Sequence, residues 1–248
     1  MAGLQFRMDS RRAVQFHLAR SPLLYRAALD LLRSRNWEKR CYLHLIRRGD
    51  AVIEAGANVG AFTLLFSDLV GQHGSVQAFE PVGSSFEMLQ MRMATQAGFR
   101  NYFLSRQALS ERSGEVKISF PEADPAQASL RVQRTGSWQT STNIRSQIVS
   151  QLELDAYAAG FSRLDFLKCD VEGAELLVFQ GAQQTLRRWV PKILVELNPD
   201  WSQSFGYSPA DTLAFLRSCG YRCFWLIGET WMPLNADCLA TGNVLCAP

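Results

Sequence analysis

The 248-residue sequence predicts an α/β fold in which helices cover both faces of a parallel sheet. From residue 50 onwards, short apolar segments typical of buried strands alternate with segments whose apolar residues recur at helical spacing. A turn that holds two glycines joins the first strand to the first helix. Several strands end in an acidic residue, which is typical of a sheet that binds a ligand at its carboxyl edge.

Composition supports a globular chain. Apolar residues make up 47 % of the sequence and charged residues 20 %, which argues against a largely disordered or fibrous protein. No apolar run reaches the roughly 18 residues of a membrane-spanning helix, and the N-terminus lacks the apolar stretch of a secretory signal. The six cysteines form no C-x-x-C pair. We therefore expect reduced, mostly buried thiols, no transmembrane segment and a cytoplasmic location.

Residues 1–48 are predicted to form a basic helical segment ahead of a main domain over 49–248. Ser21 and Pro22 are typical of a helix start. The segment holds 11 basic and 3 acidic residues, a net charge of +8, whereas the other 200 residues hold 15 basic and 20 acidic ones, a net charge of −5. Such a segment can be a solvated helix face that packs on the domain. It can also be a lid that attracts an anionic or carrier-bound ligand.

The main domain is predicted to open with a strand over 51–55 and a helix over 61–70. A second strand over 75–79, a second helix over 84–97 and a third strand over 101–107 continue the alternation. These units predict neighbouring parallel strands joined by crossover helices.

Residues 110–150 interrupt this alternation. Short strands are predicted over 116–120 and 129–132, and the polar stretch 134–146 is predicted to be a loop. The elements predicted after it are a strand over 164–170, a helix over 174–182, a strand over 192–197, a helix from Ser208 to Gly220, and strands over 221–227 and 243–246.

The turn after the first strand is the sharpest functional motif. It reads Glu54-Ala55-Gly56-Ala57-Asn58-Val59-Gly60. Gly56 can adopt backbone conformations closed to other residues, and the helix that follows directs free N–H groups at the same point. The glycine spacing differs from the G-x-G-x-x-G of nicotinamide oxidoreductases and from a phosphate-binding P-loop. The motif indicates a ligand site at the carboxyl end of the sheet.

Acidic residues end three further strands. Glu80 follows the second strand, 20 residues after Gly60, and a carboxylate there can accept hydrogen bonds from both hydroxyls of a ribose. Asp170 and Glu172 follow the strand over 164–170, and Glu196 ends the strand over 192–197. Singly, such acids can be helix caps, but their shared place at one sheet edge predicts a site.

Taken together, these motifs resemble the FkbM family of S-adenosylmethionine-dependent methyltransferases over about residues 50–248. The matching segments are Glu54-x-Gly56-Ala57-Asn58-x-Gly60, Phe79-Glu80-Pro81, Lys168-Cys169-Asp170-Val171-Glu172-Gly173-Ala174-Glu175 and Val195-Glu196. The resemblance implies a Rossmann-like class I methyltransferase fold with a seven-stranded, mostly parallel sheet whose last strand is antiparallel.

The resemblance also implies a cofactor site. The turn after the first strand would hold the methionine part of S-adenosylmethionine, Glu80 the ribose, and Gln107 with Ala108 the adenine. The implied cofactor-binding set is Glu54, Gly56, Ala57, Asn58, Gly60, Glu80, Pro81, Gln107, Ala108 and Asp170. Members of the family typically methylate hydroxyl groups of sugars, polyketides and other secondary metabolites.

Three carboxyl groups are the candidates for the chemistry. Asp170 and Glu172 are expected to orient the acceptor hydroxyl or to take its proton, and Glu196 is the third candidate. Together they could bind Mg²⁺, which prefers carboxylate oxygens, but we expect no metal. The expected partner is a small hydroxyl acceptor, anionic or carrier-bound if the basic segment contacts it.

Other functions compete with O-methylation. An N-methyltransferase of a small molecule is one, although nothing resembles the Asn/Asp-Pro-Pro-Tyr/Phe motif of amide and base N-methylating enzymes. A non-catalytic cofactor-binding module with the same fold is another. We expect no nucleic-acid binding, because the basic residues cluster in one helical segment without interleaved stacking aromatics. The sequence predicts neither the acceptor nor an oligomeric state.

Overall fold

Two sheets organise the structure, a computed structural model that describes residues 18, 21–31, 37–95, 98–227, 230–234 and 242–248. The strands in this part of the chain are β1 (Ala51–Ala55), β2 (Ser75–Phe79), β3 (Tyr102–Ser105), β4 (Ala108–Leu109), β5 (Gly114–Pro121), β6 (Ile144–Leu152), β7 (Phe166–Cys169), β8 (Lys192–Leu197), β9 (Arg222–Ile227), β10 (Thr230–Pro233) and β11 (Gly242–Ala247).

The main sheet has the strand order β10-β9-β11-β8-β7-β1-β2-β3. Strands β3, β2, β1, β7 and β8 pair in parallel, whereas β11 runs antiparallel to both β8 and β9. The predicted α/β fold class and the antiparallel last strand are therefore confirmed. The sheet has eight strands instead of seven, because β10 forms a hairpin with β9 at the outer edge.

Helices cover both faces of this sheet. They are α1 (Pro22–Leu31), α2 (Trp37–Leu45), α3 (Ala61–Val70), α4 (Gly83–Ala94), α5 (Ser137–Thr140), α6 (Leu154–Tyr157), α7 (Glu175–Gln180), α8 (Gln183–Trp189), α9 (Pro199–Gln203) and α10 (Pro209–Ser218), with 3₁₀ turns over Pro125–Gln127 and Ala158–Gly160. Alternate residues of the central strands point to opposite faces. Ile53, Leu167 and Ile193 belong to one hydrophobic cluster, and Val52, Phe166 and Leu194 to the other.

The described part of the N-terminal segment packs on the main domain. Tyr42 of α2 is fully buried, and its ring meets those of Phe62 and Phe66 edge-on, with centroids 5.0 and 4.7 Å apart. Leu45 and Ile46 are buried in the same cluster. Helix α2 is thus part of the core on one face of the sheet. Residues 1–17 lie outside the described residues.

The segment between β3 and β7 differs most from the prediction. The strand predicted over 129–132 is wrong, since only Ser129 makes an isolated bridge, to Ser119 of β5. The stretch 134–146 is not a simple loop, because it contains α5 and the start of β6. Strands β4, β6 and β5 form a second, three-stranded sheet, which we call the roof sheet. Polar residues on the exposed face of β6 hid its alternation.

Smaller differences occur at helix ends. The helix predicted over 174–182 ends at Gln180, before Gly181, where an added Cβ would lie 2.0 Å from the Ser110 carbonyl oxygen. The separate helix α8 that follows was not predicted. The helix predicted over 84–97 ends at Ala94, and residues 96–97 lie outside the described residues. Helix α9 and strand β10 were not predicted.

The described cysteines form no disulfide bond and are mostly buried. Cys41, Cys169, Cys223 and Cys246 are buried and Cys219 is partly exposed, while Cys238 lies outside the described residues. Within the described ranges, no helix is both long enough and apolar enough to span a bilayer.

Candidate functional site

A cleft opens at the carboxyl ends of β1, β2 and β7, where the sequence places its motifs. It encloses about 720 Å³, a volume that includes space open to solvent. Eight of the predicted site residues line it: Gly56, Asn58, Glu80, Pro81, Gln107, Ala108, Asp170 and Glu172. Glu54, Ala57, Gly60 and Glu196 are not part of this lining.

The turn after β1 brings three strand ends together. Gly56 has a φ of 83°, and a Cβ at this position would lie 1.8 Å from the carbonyl oxygen of Asp170. The backbone N–H groups of Gly56 and Ala57 donate to the carbonyl oxygen of Phe79, at 3.1 and 2.9 Å. Only glycine allows this approach, so Gly56 sets the distance between β1 and β7 at the floor of the cleft.

Glu80 lies buried at the end of β2 and is held by backbone donors. Its Oε2 accepts from the Asn58 N–H and its Oε1 from the Val82 N–H, both at 2.8 Å. Each carboxylate oxygen keeps a further lone pair. Burial, partly offset by these two hydrogen bonds, raises the pKa of Glu80 to about 7. The group can therefore accept hydrogen bonds from a ligand in the cleft.

Glu54 lies behind the cleft, 1 % exposed. Its Oε2 accepts a hydrogen bond of 2.6 Å from the Thr63 hydroxyl, but among the described residues its Oε1 has no partner. Burial raises the pKa of Glu54 to about 8, although the charge of Lys168 opposes the shift. A buried oxygen without a partner is costly in a ligand-free site and points to a donor supplied by a ligand.

The end of β7 carries a buried ion pair. Lys168 is 3 % exposed, its Nζ donates to Asp170 Oδ2 at 2.8 Å, and it lies 5.5 Å from the centroid of the Phe62 ring. Burial alone would lower the pKa of Lys168, but the charges of Asp170 and Glu54 outweigh burial and raise it. Lys168 is therefore a fixed cation and not a general base. This role of Lys168 as a buried cation was not predicted from the sequence.

The turn that follows Asp170 is strained and firmly held. Glu172 has a φ of 56°, a left-handed conformation that costs a non-glycine residue about 1 kcal/mol. Its carbonyl oxygen accepts from the Ser129 hydroxyl at 2.7 Å, and the Tyr207 hydroxyl donates to the carbonyl oxygen of Gly173. Glu175 Oε1 accepts from two backbone N–H groups of the turn, each at 3.1 Å. These contacts fix Glu172 in the cleft wall.

The contacts that support this turn were not predicted from the sequence. Ser129 comes from the segment next to the roof sheet, Tyr207 follows α9, and Glu175 begins α7. Trp201 also supports this region, since it is buried and donates to the Thr135 hydroxyl at 2.9 Å. Of these residues, only Glu175 lies in one of the motifs that resemble the FkbM family. The other contacts depend on the packing of distant segments.

Glu172 and Glu196 share one electrostatic environment with Asp170. Burial and then the charge of Asp170 raise the pKa of Glu172. The charge of Asp170 is the largest cause that raises the pKa of Glu196, although Glu196 is an exposed residue at the end of β8. Asp170 and Glu172, two of the three candidate groups for proton transfer, thus line the cleft, whereas Glu196 does not.

The opposite half of the cleft is a slot for a flat, apolar group. Phe79 and Pro81 contribute from the main sheet, and Ile118 and Leu130 contribute from the roof sheet and the segment next to it. Gln107 adds a polar side chain at this end, where its Oε1 accepts from the Ser105 hydroxyl at 2.8 Å. In the described ranges, no group of three or more His, Cys, Asp or Glu side chains has an arrangement suited to a metal ion.

The sheet is Rossmann-like, with a glycine turn after its first strand and an acid after its second, and with its antiparallel last strand it has the fold of class I methyltransferases. The model of the methyltransferase FkbM domain matches residues 54–223. The chain belongs to the FkbM methyltransferase family. The expected resemblance is thereby confirmed.

Individual relatives are distant. Methyltransferase sdnD of Sordaria araneosa is 24 % identical over 169 residues, which span 58 % of this chain and 65 % of that protein. A suggested rRNA methylase of Clostridium thermocellum has a similar fold, with a TM-score of 0.50, 14 % identity, and coverage of 88 % of this chain and 94 % of its own. An FkbM methyltransferase of Methylobacillus flagellatus gives a TM-score of 0.49 at 14 % identity, over 96 % of this chain and 59 % of its own.

The raised carboxyl pKa values predict how stability depends on pH. The folded-state pKa values of about 8 for Glu54 and about 7 for Glu80 lie above the ordinary value of 4.5. Between about pH 5 and 8 the folded protein therefore holds protons that the unfolded chain has lost. We expect the free energy of unfolding of the ligand-free protein to fall over this interval, by at most about 1.4 kcal/mol per pH unit for each group.

Urea unfolding at constant ionic strength measures this slope. The Glu54→Gln variant keeps the shape of the side chain but cannot titrate, so its slope should be shallower than that of the wild type. A wild-type stability that rises between pH 5 and pH 8 would contradict the expectation.

Proposed function

We propose that this methyltransferase transfers the methyl group of S-adenosylmethionine to a hydroxyl oxygen of a sugar, a polyketide or another secondary metabolite. One observation carries the proposal: Asp170 and Glu172, which both bear carboxyl groups, line the same cleft. Carboxylates can orient a hydroxyl group and accept its proton. Buried Lys168 adds no competing base, because it is held as a cation.

The residues of the cleft fit the cofactor. The Glu54 oxygen that lacks a partner among the described residues suits the methionine ammonium. Glu80 keeps the lone pairs that a ribose diol needs, and the apolar slot with Gln107 suits an adenine. When bound, S-adenosylmethionine supplies an activated methyl group that an oxygen can attack directly.

The chain's own contribution would be orientation and proton transfer. The strained turn holds Glu172, and the ion pair with Lys168 holds Asp170, so neither carboxyl group needs to reorganise as the hydroxyl approaches. The hydroxyl proton would pass to one of these carboxyl groups and then to solvent. Because burial and Asp170 raise the pKa of Glu172, a proton on Glu172 is retained more strongly than on an ordinary carboxyl group.

Replacing Asp170 by Asn should separate catalysis from cofactor binding. The amide keeps an oxygen that can accept from Lys168 but loses the negative charge, so we expect turnover to fall by about 100-fold or more. The affinity for S-adenosylhomocysteine, measured by calorimetry, should change by no more than roughly threefold. Asp200→Asn, at an exposed position of α9, is the matched control. An unchanged turnover would remove Asp170 from this role.

The acceptor class can be tested with S-adenosylmethionine that carries a ¹³C-labelled methyl group. The enzyme is incubated with pools of hydroxyl and amine metabolites, and carbon NMR distinguishes a new O-methyl from a new N-methyl group. O-methyl products support the proposal. N-methyl products would favour the alternative of a small-molecule N-methyltransferase. Tight cofactor binding without transfer to any pool would favour a non-catalytic cofactor-binding module.

A further inference from the structure

Two cysteine side chains face each other in the antiparallel part of the main sheet. Cys223 of β9 lies opposite Cys246 of β11 in the register of these strands. Both residues are buried, with 5 % and 0 % of their surface exposed, and both belong to the hydrophobic cluster that contains Ile53. The Cys246 thiol donates to Cys223 Sγ, and the two sulfur atoms are 3.1 Å apart. The two thiols are therefore in contact inside the core.

The backbone around this pair is suited to a covalent bond between the two sulfurs. The Cys223 carbonyl oxygen accepts from the Leu234 N–H at 2.9 Å, so the polar groups of Cys223 point toward β10. Cys223 and Cys246 are therefore a non-hydrogen-bonded pair, in which the Cα atoms of antiparallel strands are about 4.5 Å apart. Disulfides occur at this Cα separation, with sulfurs about 2.05 Å apart. Closing the bond requires the sulfurs to approach by only about 1 Å.

The two thiols differ in acidity. The hydrogen bond from Cys246 lowers the pKa of Cys223, and the charge of Arg217 lowers it further, although burial opposes both effects. The same hydrogen bond and burial raise the pKa of Cys246. Arg217 is held beside β9 because its guanidinium donates to the Leu234 carbonyl oxygen at 2.8 Å. Cys223 is thus the thiol that ionises first, and the thiolate is the form that reacts with oxidants.

We propose that Cys223 and Cys246 form an oxidation site, at which hydrogen peroxide produces a reversible disulfide between β9 and β11. The Cys223 thiolate attacks a peroxide oxygen, which gives a sulfenic acid at Cys223 and, after protonation of the leaving oxygen, one water. The Cys246 sulfur then attacks the Cys223 sulfur, and the S–OH oxygen leaves as a second water. Two thiols are oxidised and one peroxide is reduced. The inference does not depend on the proposed methyl transfer.

Counting thiols by mass spectrometry tests this proposal. Reduced protein is treated with a small excess of hydrogen peroxide, the peroxide is removed with catalase, and the chain is unfolded in the presence of N-ethylmaleimide. The untreated chain has six cysteines and should gain six adducts, whereas the oxidised chain should gain four. Peptide mapping should find Cys223 joined to Cys246, and dithiothreitol should restore all six adducts.

Single substitutions assign a role to each thiol. Cys246→Ser removes the thiol that closes the bond, so this variant should form no cross-link, and dimedone should trap a sulfenic acid at Cys223. Cys246→Ala serves the same purpose if the buried hydroxyl prevents folding. Cys219→Ser is the matched control, because Cys219 is a partly exposed thiol at the end of α10. Its removal should leave the link between Cys223 and Cys246 unchanged.

The outcomes decide for or against the site. Loss of two adducts together with the mapped Cys223–Cys246 link supports the proposal, provided that the near-ultraviolet circular dichroism of the treated protein shows an intact fold. Six adducts after treatment would overturn it. A disulfide of either residue with Cys219, or oxidation of Cys223 to sulfinic acid while Cys246 stays a thiol, would overturn it as well.

Discussion

Replacing Glu80 by Ala should lower the affinity for S-adenosylmethionine by about 100-fold or more. The substitution removes the carboxylate that we propose accepts from the ribose hydroxyls, and each such hydrogen bond to a charged group contributes about 1.5–3 kcal/mol. It also removes the group that holds the backbone N–H donors of Asn58 and Val82 at 2.8 Å. The turn that carries Asn58 would therefore lose its anchor as well. Calorimetric titration measures the affinity directly.

The control for this variant is Glu87→Ala. Glu87 lies on α4 a few residues further along the chain, but it is exposed and is not part of the cleft lining. Its removal should leave the affinity unchanged. If Glu80→Ala bound the cofactor as tightly as the wild type, the ribose would have to lie elsewhere, and the assignment of the cleft would be wrong.

A methyl group at Gly56 should disrupt both the fold and the site. In Gly56→Ala the new Cβ would lie 1.8 Å from the Asp170 carbonyl oxygen, a backbone atom that cannot move without shifting β7. The positive φ adds about 1–2 kcal/mol of strain. We expect a loss of about 3–5 kcal/mol in the free energy of unfolding, including the cost of overpacking, and no measurable cofactor binding in any protein that folds.

Gly49→Ala separates the effect of left-handed backbone strain from the effect of the steric clash. Gly49 has a φ of 86°, close to that of Gly56, but no atom lies within 4 Å of an added Cβ. This variant therefore carries the left-handed strain without the clash, and it should lose only about 1–2 kcal/mol. Urea unfolding of both variants gives the difference. Equal losses would show that the close approach of β1 and β7 has no energetic importance.

The fold was predictable because its signals are local. Strands β1 and β2 and helix α3 begin and end where the apolar periodicity and the flanking glycines indicate. The positions of Glu80, Asp170 and Glu172 at one cleft also follow from the sequence, since the ends of neighbouring parallel strands lie at the same edge.

The rest of the site could not be predicted from local patterns. Strand β5 of the roof sheet was predicted, over 116–120, but β6 was missed because it exposes most of its residues, so apolar alternation is absent there. Lys168 lies over the Phe62 ring, on which Tyr42 of α2 also packs, and this arrangement leaves no local pattern in the sequence. Tyr207 and Ser129 act through single hydrogen bonds to a distant turn. Such contacts are set by tertiary packing and leave no periodic signal.

The roof sheet also bears on how this architecture can diverge. One continuous stretch of chain, from β4 to β6, forms this sheet and supplies Ile118, Ala128 and Leu130 to the cleft, without entering the strand order of the main sheet. Insertions or deletions between β5 and β6 can therefore change the width of the cleft while Glu80 and the strained turn at Glu172 stay in place. Evolution, or directed recombination of loops, can act on this stretch as a separate cassette.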